Sequence, residues 1–205
     1  MDARAIGVFD SGTGGLTVLH ECLVTMPHED FVYLGDHARL PYGPRSLSEV
    51  RGFALEIGRY LERQDVKVVL VACNTATSAG LPQLQEALSI PVVGVIQPEA
   101  HAAVQATRNR KIGLLATKAT VEAGRYAEFV AALDAGADFT ALPCPRLVPL
   151  IEAGIRLAKL RGRASARSRS AGQQPVQCGP VRHVERIDDL NSVQQRPILH
   201  VFAQQ

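Results

Sequence analysis

The sequence predicts an α/β protein built on a doubly wound parallel sheet, and three observations carry that expectation. Short apolar runs alternate with helical periodicities through the first 154 of the 205 residues, the pattern of strands joined by crossover helices. One run, Val68-Val69-Leu70-Val71, is apolar at every position, as a strand buried on both faces requires. Right-handed crossovers then bring the loops after Phe9, Leu34 and Ala72 to one edge, outside the carboxyl ends of the strands, where open α/β sheets bind ligands.

Taken in order, Ala5-Ile6-Gly7-Val8-Phe9 reads as a strand and Asp10-Ser11-Gly12-Thr13-Gly14-Gly15 as a loop. Leu16, Leu19, Leu23 and Met26 repeat at helical spacing. Phe31-Val32-Tyr33-Leu34 is a second strand, ending in Gly35-Asp36. Ser46-Leu47-Ser48-Glu49 is a capping box, and the helix it opens places Leu47, Val50, Ala54, Ile57 and Leu61 on one face. After the Val68 strand comes a helix interrupted or restarted at Pro82, a residue that suits a first turn. Pro91-Val92-Val93-Gly94-Val95-Ile96 is a strand and Gln97-Pro98 a crossing between domains, followed by a helix to Thr107. A strand over 111–116, a helix over 121–133 and a strand over 139–142 complete the pattern before Pro143-Cys144-Pro145. The expected organisation is a first α/β domain over 1–97, a partial second over 98–154 and an atypical basic tail over 155–205.

Charge marks the same boundary. Residues 1–154 carry 13 Lys+Arg against 17 Asp+Glu, and residues 155–205 carry 9 against 3, within an overall charge of +2. The stretch 155–170 interleaves arginine with serine and alanine, has little apolar surface to bury and is expected to stay disordered; 198–202 has the makings of a short strand. We read the arginines as a solvated segment rather than a nucleic-acid surface, because no nucleic-acid fold motif accompanies them. No run approaches the ~18 apolar residues of a membrane span, and Met1-Asp2-Ala3-Arg4 has no signal-peptide pattern. Four cysteines in no CxxC or CxxH spacing imply neither zinc site nor disulfide scaffold and fit a reducing cytoplasm.

Chemistry concentrates at three strand ends. Cys73, in Ala72-Cys73-Asn74-Thr75-Ala76, is either a small core hydrophobe or a thiol activated by the helix N-terminus beyond it, with Asn74 and Thr75 offering donors to a carboxylate. The loop after Phe9 lacks both the dinucleotide and the P-loop fingerprints, and Asp10 would repel phosphate. A carboxylate there suits an ammonium group or a neighbouring thiol, or it simply forms the turn. Leu40-Pro41-Tyr42-Gly43-Pro44 is a rigid loop exposing an aromatic between two prolines, a pocket wall or merely a turn. Thr117 and Thr120 either bind a carboxylate or cap the next helix. The six histidines form no ligand spacing, and no metal site is expected.

Together these segments resemble the glutamate racemases of the cofactor-independent aspartate/glutamate racemase superfamily. The likeness runs in order through residues 8–15, 33–36, 40–43, 72–76, 91–96, 117–120, 143–145 and 148–154. It implies two similar α/β domains with the site between them, and interconversion of L- and D-glutamate by two thiols without a cofactor, supplying D-glutamate for peptidoglycan. By motif position it implies Cys73 and Asp10 as catalytic groups. Asp10, Ser11, Pro41, Tyr42, Gly43, Asn74, Thr75, Thr117 and Thr120 would bind substrate, and a homodimer is an open assembly.

Racemisation needs an acid/base group on each face of the α-carbon. The family's second thiol stands in Gly-Cys-Thr-His-Tyr-Pro, and these 205 residues contain no such segment. Cys178, in Val176-Gln177-Cys178-Gly179-Pro180, lacks the following Thr-His, and Cys144 matches a family position that is not catalytic. The expectation is a second domain truncated or frame-shifted near Gly154, leaving one base of two. The alternative is a non-catalytic remnant or a small carboxylate-binding protein.

Overall fold

A computed structural model describes residues 2–152 and 201–203. The chain alternates β1 (Ile6–Asp10), α1 (Gly15–Thr25), β2 (Phe31–Gly35), α2 (Leu47–Arg63), β3 (Val68–Val71), α3 (Asn74–Ala87) and β4 (Val92–Gly94). It continues through α4 (Ile96–Ala106), β5 (Lys111–Ala116), α5 (Lys118–Glu122), α6 (Arg125–Leu133), β6 (Asp138–Pro143), α7 (Leu147–Glu152) and β7 (Val201–Ala203). The first sheet is all parallel in the order β2-β1-β3-β4; the second runs β6-β5-β7.

Alternation along the strands assigns the layers. Phe9, Val69, Val71 and Val92 face a core with Val50, Ala54, Ile57 and Leu61 of α2 and Ala76, Ala79 and Leu84 of α3. Ile6, Val8, Val68 and Leu70 face the other way, toward Val18 and Leu19 of α1. Helices therefore cover both faces, and the order 2-1-3-4 puts the switch point between the ends of β1 and β3. A separate core joins Ile96, Ala100 and Ala103 of α4 to Ile112 and Leu114 of β5 and Tyr126 and Val130 of α6.

Several expectations need correction. The helix after β3 is not interrupted at Pro82: α3 runs through it, because the run of buried residues from Thr75 to Gly80 and Leu84 holds the helix where the ring removes one hydrogen bond. β4 is only three residues long and α4 starts at Ile96, which places Pro98 in a first turn, where a missing N–H has no intrahelical partner to lose. The helix expected over 121–133 is two helices, broken at Gly124, whose φ of 69° is left-handed. The strand expected near 198–202 is Val201–Ala203 and lies antiparallel to β5, so the second sheet is not purely parallel. On α1, Leu16 and Leu23 are nearly half exposed, because Gly15, pressed to the sheet, turns Val18 and Leu19 inward instead. The expectations of a disordered basic stretch and of Cys178 without context lie outside the described residues.

The close approach at Gly15 is a checkable constraint. A Cβ there would stand 2.5 Å from Asp10 Cβ and 3.1 Å from Ala72 Cβ, both on strand ends that cannot retreat. Gly15→Ala is expected to lower unfolding free energy by about 1–3 kcal/mol, read from urea denaturation; an unshifted midpoint would mean the loop is not held there.

A candidate active site at the strand ends

Asp10 closes β1, and its carboxylate faces its own loop. Oδ2 accepts from Gly12 N–H at 3.0 Å and Gly15 N–H at 2.9 Å, so the acid pins the glycine-rich turn. Asp10 and Cys73 share no hydrogen bond. Tyr33, on the neighbouring strand, donates its hydroxyl to Gly12 O at 3.1 Å and is pushed up to about 12 by burial and then by the Asp10 charge.

Cys73 is the N-cap of α3 and is buried. Its Sγ accepts from Ala76 N–H at 3.4 Å and donates to Ser11 Oγ at 3.4 Å, linking the ends of β3 and β1 across the switch point. The thiol is not activated in the free protein as its place at a helix N-terminus suggested. Burial first, and the Asp10 charge second, push it up to about 11, against the weaker opposite pull of Ser11 and Ala76. Alkylation of Cys73 by iodoacetamide is accordingly expected to rise with pH until about 11, located by peptide mass. A midpoint near the ordinary thiol value of about 8.5 would contradict this environment.

The loop after β2 is organised by a buried carboxylate that the sequence did not single out. Asp36 Oδ2 accepts from Tyr42 OH at 2.5 Å and from Arg39 Nε at 2.6 Å, while Arg39 also pairs with Glu56 at 2.6 Å. Tyr42 is thus 2% exposed rather than a presented aromatic, and burial and Asp36 hold its hydroxyl protonated well above the usual phenol range. Its ring packs 5.5 Å from Phe53, over which the Arg39 guanidinium lies at 4.6 Å. With Tyr42 buried, what this segment presents is the exposed Pro41 and the half-buried Gly43. Gly43 lies so close to the second sheet that a Cβ would meet Thr117 Cγ2 at 3.0 Å.

Three hydroxyls join the sheets. Thr75 Oγ1 is 3.0 Å from Thr117 Oγ1 and 3.3 Å from Thr120 Oγ1, and the latter two are 2.9 Å apart. Thr117 also caps α5 by accepting from Thr120 N–H, so the capping role and the placement of Thr117 at this cluster hold together. Asn74 is placed differently. Its Nδ2 donates to Glu99 Oε2 at 2.8 Å and also to Tyr126 OH, and Tyr126 OH donates to Glu99 Oε2. Its amide donor is therefore occupied, and Glu99 and Tyr126, from α4 and α6, are two residues at this edge that sequence reasoning missed. Nothing in their spacing signals them, since one lies 25 and the other 52 positions from Asn74.

The arrangement therefore gathers Asp10, Ser11, Cys73, Thr75, Thr117, Thr120 and Gly43 at one edge, and leaves the Tyr42 phenol and the Asn74 amide turned to structural partners. It offers one thiol, one carboxylate and a set of hydroxyl donors. Among the described residues, no group of three or more His, Cys, Asp or Glu is placed to hold a metal ion, and no helix is long and apolar enough to cross a membrane.

The chain is similar to proteins already known. The family described as Asp/Glu/Hydantoin racemase matches residues 16–178. The glutamate racemase of Oceanobacillus iheyensis is 46% identical over 152 residues, which cover 74% of this chain and 56% of that protein. The crystal structure of a glutamate racemase isoform from Bacillus anthracis superposes with a TM-score of 0.74 at 42% identity, covering 80% of this chain and 61% of that one. That of Francisella tularensis, in complex with D-glutamate, gives 0.72 at 34% identity, covering 80% and 63%. The chain spans less than two thirds of the length of these relatives.

Proposed function

We propose that this chain, which belongs to the Asp/Glu/Hydantoin racemase family, carries the Cys73 half of a glutamate racemase site, binding glutamate and moving its α-proton on one face. The observation that carries this reading is the Cys73–Ser11 contact at the switch point, with Asp10 on one side and the Thr75, Thr117 and Thr120 hydroxyls on the other. An α-amino acid fits that polarity: its ammonium toward Asp10, its α-carboxylate toward the hydroxyls.

The chemistry follows from charge. A buried thiol held near 11 is neutral in the free protein, and an ammonium arriving beside it favours the thiolate, the thiol proton passing to water as substrate enters. The thiolate takes the α-proton, leaving a carbanion whose charge spreads into the α-carboxylate, where fixed hydroxyl donors stabilise it. The Cys73 thiol then returns a proton to the same face, or the protonated form of a second acid/base group on the opposite face delivers one and inverts the centre. In the whole enzyme that second base would complete racemisation and supply D-glutamate for peptidoglycan; within these 205 residues the expected Gly-Cys-Thr-His segment is missing. On this reading residues 1–97 form the first α/β domain and 98–154 part of a second.

A second reading, a carboxylate-binding protein without chemistry, is favoured by one observation, the burial of Cys73, which pushes its thiol up to about 11. Calorimetric titration with L-glutamate, D-glutamate and aspartate tests the binding common to both. Heat with glutamate and not with aspartate is the expected result, and no heat with either would sink both readings.

A further inference from the structure

We propose that Glu99 and Tyr126 are positioning residues that act through Asn74 to fix the first turn of α3, and with it Cys73 and Thr75, against the second sheet. The inference rests on the reading of that turn as the substrate edge. Three observations support it.

The first is chemical. Glu99 Oε2 accepts from both Asn74 Nδ2 and Tyr126 OH, so the amide nitrogen faces the carboxyl and the Asn74 side chain has one orientation. Tyr126 is buried and its hydroxyl contacts both partners, which closes a triangle drawn from α3, α4 and α6. The second is topological. Asn74 lies between Cys73, whose Sγ caps α3 and reaches Ser11, and Thr75, whose hydroxyl enters the Thr117–Thr120 cluster. Three consecutive side chains at the start of one helix are thus each held from outside it, and the middle one is held by Glu99 and Tyr126, which form no hydrogen bond with the other site groups. The third is electrostatic. Burial raises the Glu99 carboxyl, and the bonds from Tyr126 and Asn74 oppose that rise, so the carboxylate depends on these two donors. Half-buried as it is, the carboxylate keeps its two donors in place.

Asn74 therefore has a role other than giving its side-chain amide to a carboxylate substrate. It is the peg by which the second sheet sets the angle of the helix start, and any contribution it makes to an anion comes from its backbone.

The test reads Cys73 without requiring turnover. The titratable groups facing that thiol are Asp10 of β1, Tyr33 of β2 and Tyr42, and Glu99 faces Tyr126. The pH profile of iodoacetamide alkylation at Cys73, located by peptide mass among the four cysteines, is measured in the full chain and its variants. Glu99→Ala leaves Asn74 and Tyr126 without their acceptor, loosens the turn and admits water to the thiol. The profile is then expected to shift down by at least a unit, which raises thiolate fraction about tenfold at pH 8. Glu99→Gln retains an acceptor oxygen and is expected to restore the wild-type profile. If Glu99→Ala does not fold, by circular dichroism, Tyr126→Phe is expected to shift the profile in the same direction. A folded Glu99→Ala or Tyr126→Phe protein that superposes on wild type overturns the proposal, and so does a Glu99→Gln profile displaced as far as that of Glu99→Ala. Glutamate titration runs in parallel. A wild-type chain that binds no glutamate removes the substrate reading, while the alkylation profiles still decide whether the clamp exists.

Discussion

Cys73→Ala is expected to abolish exchange of the α-proton of glutamate with solvent, a loss of about 10²–10⁴-fold for one positioned acid/base group. The size follows from the absence of a substitute at this edge. Ser11 Oγ is hydrogen-bonded to the thiol at 3.4 Å, but a hydroxyl is a far weaker base. Asp10 is engaged with two backbone N–H groups and shares no bond with Cys73. The fold is expected to tolerate the change. Alanine keeps the buried Cβ contacts and loses two sulfur hydrogen bonds at 3.4 Å, a cost of about 1 kcal/mol in urea unfolding. Exchange that persists at near wild-type rate in a folded Cys73→Ala protein would show that another group takes the proton.

Gly43→Val is expected to weaken glutamate binding by about ten- to hundredfold, as an overpacking strain of about 1–3 kcal/mol implies. A Cβ at Gly43 would stand 3.0 Å from Thr117 Cγ2 and 3.1 Å from Thr117 Cβ. Thr117 cannot yield freely, because its hydroxyl is held by Thr75 and Thr120 and its own backbone starts α5. The branched side chain must therefore push the Pro41–Gly43 loop away from the hydroxyl cluster, and the face that receives the carboxylate opens. Calorimetric titration measures the effect. An unchanged affinity would place the substrate away from this loop.

Local signals were legible in the sequence where one residue decides a local structure. The capping box at Ser46 and Glu49 is formed, with Glu49 N–H given to Ser46 Oγ and Ser46 N–H to Glu49 Oε2. The apolar run Val68–Val71 is an interior parallel strand between β1 and β4, though only Val69 and Val71 are buried and Val68 and Leu70 are half-buried; the loops after β1 and β3 meet as crossover handedness requires. What was not legible depends on residues far apart in the chain. Tyr42 reads as a displayed aromatic until Asp36 and Arg39 are placed around it. The Cys73 thiol reads as activated when only the helix beyond it is considered, and its burial beside Asp10 reverses the sign. Asn74 reads as a substrate donor, and two partners from α4 and α6 occupy its amide instead. Pro82 reads as a break, and burial along α3 overrides it.

We propose that Cys73 is the base at the described site, and that the chain therefore works on one face of the α-carbon. Incubation of L-glutamate and of D-glutamate separately with the protein in deuterium oxide, followed by NMR of the α-proton and chiral analysis, tests it directly. The expected result is deuterium entering one enantiomer without inversion, and neither exchange nor inversion of the other. Exchange of both enantiomers accompanied by racemisation would contradict the account by requiring a second base within these 205 residues, and no exchange of either would leave Cys73 a bystander.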